Sequence, residues 1–146
     1  MKCPYRKAVS LFKVTTLLSV LLLVSCGKEE HCSYLIGITD FRIDPNSAYY
    51  SGLSMVGGYM YLNGGSRGVF VYRDSYNHFL AYERACPHDD GQVKSADGWS
   101  DSILECPECH TFFIVTNDGI PLEDGATTCP LYQYSTTYSD GYLYVY

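Results

Sequence analysis

The chain has 146 residues, 47% of them hydrophobic, with sixteen acidic against ten basic residues and a formal net charge of −6. Four of the basic residues (Lys2, Arg6, Lys7 and Lys13) and none of the acidic ones fall in residues 1–25, so the remaining 121 residues carry six basic against sixteen acidic, a net of −10. So acidic a surface repels phosphate backbones and excludes nucleic-acid binding, and the length suits one domain with enough core to fold alone.

Residues 1–25 read as a targeting segment. A positive start leads into the apolar run Val14 to Val24, which is short for a membrane span and has no stop-transfer charge after it. The run ends in Leu23-Val24-Ser25-Cys26, which resembles a bacterial lipobox. That resemblance implies cleavage before Cys26 and diacylation of its sulfur. Two acyl chains suffice for stable anchoring, so the mature chain would sit on a membrane without spanning it. Lys28-Glu29-Glu30 is similar to the sorting signal of Bacteroidetes lipoproteins sent to the outer leaflet of the outer membrane. The expected location is therefore the cell envelope, lipid-anchored in the outer membrane, with exposure at the surface if Lys28-Glu29-Glu30 is a sorting signal and not a solvated linker. Residues 26–37 form a tether, and 38–146 form the domain.

No long window of the domain repeats apolar residues at three and four, whereas short β-branched and aromatic runs recur between turn signals. Val69 to Tyr72 pairs with Phe79 to Glu83 across Asp74-Ser75-Tyr76-Asn77. Phe112 to Thr116 runs into the turn Asn117-Asp118-Gly119. Leu131 to Tyr138 reads as one strand that turns at Ser139-Asp140-Gly141 into Tyr142 to Tyr146. In that last strand Leu143 and Val145 share one face and the tyrosines the other, the alternation of a half-buried antiparallel strand. The fold class is all-β.

Two clips carry the chemistry. Cys86-Pro87-His88 follows the strand through Arg84, and Cys106-Pro107-Glu108-Cys109-His110 follows Ser102 to Glu105, with seventeen residues between His88 and Cys106. Each puts soft or borderline ligands on a tight loop at a hairpin tip. Two such tips brought together supply four ligands to one metal centre, as Fe–S clusters and tetrahedral zinc require.

In this arrangement the chain resembles a Rieske [2Fe–2S] domain, whose motif is C-x-H, a spacer of fifteen or more residues, then C-x-x-H. Cys86-Pro87-His88 matches the first half and Cys106-Pro107 begins the second. Phe113 falls where the family often has an aromatic. Gly119-Ile120-Pro121, Gly125-Ala126 and Pro130-Leu131 resemble its Pro-containing loop, and Gly141 to Val145 its closing strand. The resemblance implies an antiparallel β-sandwich with two metal-binding hairpin loops, a [2Fe–2S] cluster and one-electron transfer with a redox protein partner.

One ligand departs from the pattern. Three residues after Cys106 stands Cys109 where the family has its second histidine, and His110 follows one place later. The ungapped ligand set is Cys86, His88, Cys106 and Cys109. A one-residue gap replaces Cys109 by His110 but displaces Phe113. A third thiolate adds a negative charge and makes electron uptake harder than in two-histidine centres.

The same four residues also suit structural zinc. Rieske proteins generally cross membranes folded by the twin-arginine route, whereas this chain has Arg6-Lys7. The alternative is a non-redox surface or binding lipoprotein whose site holds zinc or no metal. The cysteines left over, Cys32 and Cys129, are candidates for a disulfide in an exported protein. Only His31, His78, His88 and His110 are present and no domain remains for an additional two-histidine–carboxylate iron, so no substrate chemistry is expected of this chain alone.

Overall fold

The computed structural model describes residues 31–146; the expected signal peptide, the lipidation site Cys26 and the start of the tether lie outside them. Among the described residues the regular structure is eleven short strands and one six-residue 3-10 helix, Ala48–Leu53. No helix among them is long and apolar enough to cross a membrane.

The strands form three antiparallel sheets. The central one runs β2 (Tyr59–Leu62), β3 (Val69–Ser75), β4 (His78–Glu83) and β9 (Gln133–Tyr134), in that spatial order. Its middle strands are continuously apolar over Val69–Tyr72 and Phe79–Tyr82 because both faces are covered there. On one face Phe70, Leu80 and Tyr82 pack with Leu104, Phe113 and Val115. These come from the sheet of β5 (Lys94–Ser95), β6 (Ile103–Glu105), β7 (Phe112–Ile114) and β8 (Ile120–Pro121), and from the residues just after β7. On the other face Val69, Val71, Phe79 and Ala81 pack with Ile43, Leu143 and Val145. Those belong to β1 (Phe41–Ile43) and β11 (Tyr142–Val145), which join β10 (Thr136–Ser139) in the third sheet.

The turn chemistry behaves as read. Asp118 and Gly119 (φ 52° and 67°) and Asp140 and Gly141 (φ 53° and 82°) are paired left-handed residues, as a type I′ hairpin turn requires. Leu143 and Val145 are buried, and Tyr142 and Tyr146 stay on the open face.

The expected single strand from Leu131 to Tyr138 is instead two. β9 pairs with β4 and β10 pairs with β11, and Ser135 exchanges both backbone hydrogen bonds with Tyr146 between them. The chain thus changes sheets at a corner, a step that β-propensity does not register.

The later part of the expected tether lies along the domain. A disulfide joins Cys32 to Cys129, with Cα atoms 5.5 Å apart. The Tyr34 ring sits 5.8 Å from that of Tyr132, and the Tyr134 hydroxyl donates to the Gly37 carbonyl at 3.4 Å.

Candidate metal centre

Both clips grow from paired strand ends. Beyond β4, Ala85 pairs with Gln92 and Val93 N–H donates to the Arg84 carbonyl, so residues 86–91 cap a hairpin. Beyond β6, residues 106–111 cap the β6–β7 hairpin. Within the caps the backbone repeats. Cys86 N–H donates to the Gly91 carbonyl and Asp90 N–H to the Cys86 carbonyl; Cys106 N–H donates to the Thr111 carbonyl and His110 N–H to the Cys106 carbonyl. Asp90 and His110, each four residues after the cysteine, are both left-handed (φ 59° and 57°). Proline one place after each cysteine fixes φ where the loop offers no partner for an N–H.

Cys86 and Cys106 are buried in the core shared with Leu104 and Phe113, and Cys109 is half-buried against it. Four donor groups lie within 4.8 Å of one another: Cys86, Asp89, Cys106 and Cys109. Cys86 Sγ is 3.7 Å from Cys109 Sγ, and Cys106 Sγ is 3.3 Å from Asp89 Oδ1. The expected ligands therefore divide. The three cysteines converge. His88 is exposed and outside the group, whereas its neighbour Asp89, also exposed, lies within it. His110, the expected substitute for Cys109, is also exposed and outside the group; its ring meets the Glu105 carboxylate at 3.0 Å. The left-handed backbone at His110 follows from the loop closing on the Cys106 carbonyl, and Cys109 is the side chain left facing the site.

Supporting groups explain this order. Gly91 is required because a Cβ there would stand 2.8 Å from Cys106 Sγ and 2.9 Å from Asp89 Oδ1. Its N–H donates to Asp89 Oδ1 at 2.9 Å and orients that carboxylate. In the second clip the buried Thr111 hydroxyl accepts from the Ala126 N–H at 2.9 Å and lies 3.2 Å from Cys109 Sγ, which ties the clip to the loop over it. The Cys32–Cys129 bridge holds the far end of that loop. At the root of the first clip, buried Glu83 accepts from the amides of Ser66, Arg67 and Ala85 and from the Tyr134 hydroxyl. Asp89, Gly91, Thr111 and Glu83 were not marked by the metal-motif reading. A signal for Asp89 did exist, since it stands three residues after Cys86 as Cys109 does after Cys106.

Burial pushes both deep thiols up, Cys106 to about 11, while backbone amides pull the other way: those of His88 and Asp89 at Cys86, those of Cys109 and Glu108 at Cys106. Burial also works against the Asp89 charge, but the Gly91 N–H and the thiols of Cys106, Cys86 and Cys109 outweigh it and hold the carboxyl below its ordinary range. A metal would displace the thiol protons outright. The chemistry of the donor set, three thiols and a carboxylate drawn in pairs from two loops, fits iron or zinc ligation.

Residues 54–132, more than half of the chain, match the family described as the Rieske [2Fe-2S] domain. The chain belongs to that family. Among solved structures, one titled a complex of reduced oxygenase and oxidized ferredoxin in carbazole 1,9a-dioxygenase is similar at 28% identity. The match covers 62% of this chain and 82% of that one, with a TM-score of 0.47. The ferredoxin of carbazole 1,9a-dioxygenase from Nocardioides aromaticivorans IC177 is similar at 20% identity, over 62% of this chain and 86% of that one, with a TM-score of 0.46. No curated protein matches the chain. Within the Rieske family this member keeps the two hairpin clips, with Cys109 three residues after Cys106 and His110 one place later.

Proposed function

We propose that this protein is an envelope electron carrier, anchored in the outer membrane by lipid on Cys26, whose clips hold a [2Fe–2S] cluster and exchange single electrons with a redox protein. The observation that carries this reading is the convergence of Cys86, Cys106 and Cys109 from two hairpin tips in a Rieske-family domain. A bound cluster supplies one-electron chemistry without proton or group transfer. The chain's own residues supply the setting. Leu104, Phe113 and Val93 close the site from below, while Pro107 and Glu108 leave the second tip exposed for a partner to approach. The amides directed at the two deep sulfurs stabilise negative charge there. The third thiolate and the carboxylates Asp89, Asp90, Glu105 and Glu108 oppose electron uptake.

Redox titration followed by electron paramagnetic resonance tests the role. The expected result is a reversible one-electron couple below the roughly −150 to +300 mV of two-histidine centres, toward the about −400 mV of plant-type ferredoxins. A couple near +200 mV with two-imidazole signatures would reject the three-thiolate site, and no couple at all would reject the carrier role.

One observation favours a second occupant. The 3.7 Å between Cys86 Sγ and Cys109 Sγ is close to the edge of a tetrahedron with metal–sulfur bonds of about 2.3 Å, which is about 3.8 Å. A single zinc ion at this point would make the domain a non-redox binding module.

A further inference from the structure

We infer that the segment from Tyr34 to Ile38 is a lipid-facing edge, a second membrane contact that lays the domain on the bilayer beside its anchor. The occupant is the bilayer surface itself. This rests on the reading that Cys26 carries lipid, and it holds whatever the clips bind.

The edge is a pinned part of the domain. At one end the Cys32–Cys129 bridge staples it down, and the Tyr34 ring packs 5.8 Å from that of Tyr132. At the other, Gly37 is pressed so closely onto the domain that a Cβ there would stand 2.1 Å from the Gly65 carbonyl carbon. Beside it the Gly65 N–H donates to the Ile38 carbonyl at 3.2 Å. Held in this way, the segment leaves Leu35, Ile36 and Ile38 turned outward, 44%, 46% and 94% exposed. Exposed aliphatic residues scattered singly are ordinary, but three within four positions of a pinned segment form a patch.

Composition and reach say what covers it. No Asp, Glu, Lys or Arg occurs between Glu30 and Asp40, although residues 26–146 carry sixteen acidic residues against six basic. An uncharged aliphatic strip on so acidic a chain suits the apolar boundary of a bilayer. A second copy of the chain would bring the same excess of negative charge against itself. Cys26 stands only six residues before Cys32. Six residues span roughly 20 Å fully extended and about 14 Å as a flexible chain. The bridge therefore keeps Leu35 and its neighbours beside the membrane that holds the lipid. There a contact too weak to hold the domain alone acts at high effective concentration.

The test uses the full-length lipidated chain in vesicles of phosphatidylethanolamine and phosphatidylglycerol, with and without bromine on the acyl carbons nearest the headgroup. Trp99, the one tryptophan of the chain, is removed by Trp99→Phe, and a fluorescent reporter is placed by Ile38→Trp or by Tyr76→Trp. Tyr76 is 77% exposed in the β3–β4 turn, at the opposite end of β4 from Glu83, whose N–H donates to the Tyr132 carbonyl. Brominated lipid should quench the Ile38→Trp reporter at least twofold and leave the Tyr76→Trp reporter nearly unchanged. Adding Leu35→Ser and Ile36→Ser should at least halve the quenching at position 38, so that the native aliphatic residues, and not the interfacial affinity of tryptophan, hold the edge down. Quenching at position 38 no greater than at position 76, or unchanged by the serine pair, would overturn the edge and leave the anchor standing. So would a reporter shielded from water only as protein concentration rises, which would assign the edge to a second copy. A chain that does not float with the vesicles would instead overturn the lipid reading, and this inference with it.

Discussion

Glu83 offers a sharp test of how the fold holds the first clip. Its carboxylate, 1% exposed, accepts from Ser66 N–H at 2.6 Å, Arg67 N–H at 2.9 Å, Ala85 N–H at 3.2 Å and the Tyr134 hydroxyl at 2.7 Å. In Glu83→Ala the part-buried amides of Ser66 and Arg67 can turn to water. The buried Ala85 N–H cannot, and a stranded donor costs about 1–3 kcal/mol; the Tyr134 hydroxyl loses a charge-assisted bond, about 1.5–3 kcal/mol, and keeps only the longer one to the Gly37 carbonyl at 3.4 Å. The expected loss is about 4 kcal/mol, a large part of the roughly 5–15 kcal/mol that holds a domain together. Glu83→Gln keeps one acceptor and should lose roughly half as much.

The pH dependence has a defined sign. Burial opposes the Glu83 charge, but the amides of Ser66 and Arg67, the Tyr134 hydroxyl and the Ala85 amide outweigh it and hold the folded pKa below the ordinary value. The contribution is therefore complete above the unfolded pKa of about 4.3 and fades as pH falls through the lower folded value. Urea unfolding followed by circular dichroism at pH 7 and through the acid range measures both. A Glu83→Ala loss under about 1 kcal/mol at pH 7 would refute the reasoning, as would a wild-type-to-Glu83→Gln difference that does not shrink in acid.

Two further predictions concern the cysteines. The Cys32–Cys129 bridge spans 97 residues, so Cys129→Ala should cost about 3–4 kcal/mol in the same unfolding assay. Denatured, metal-stripped mature protein should titrate three thiols, those of Cys86, Cys106 and Cys109; five would remove the bridge, and one would signal oxidation within the site. Cys26→Ser should move a folded domain from the membrane to the soluble fraction, because the proposed lipid joins the chain ahead of Cys32. Continued membrane residence would remove the anchor.

Much of the fold is legible in the residues because side-chain alternation and turn chemistry are local. Val69 to Tyr72 and Phe79 to Glu83 announce a hairpin, and Asp140-Gly141 sets the closing one. The sheet change at Ser135 is not legible, since the tyrosines and threonines around it favour strand on both sides. β2 also escapes notice: Tyr59–Leu62 is apolar throughout and only its pairing with Val69–Tyr72 defines it. At the site the three cysteines can be read from spacing alone. Asp89 repeats the spacing of Cys109, three residues after its cysteine, but a carboxylate beside a clip reads equally well as a solvated loop residue.

The cofactor proposed for the two clips of this Rieske-family domain is a two-iron cluster. The most direct measurement is iron, zinc and acid-labile sulfide per chain in protein purified from its native membrane. Two irons and two sulfides per chain with little zinc are expected. One zinc per chain without sulfide, or no metal beside three titratable thiols, would contradict the proposal.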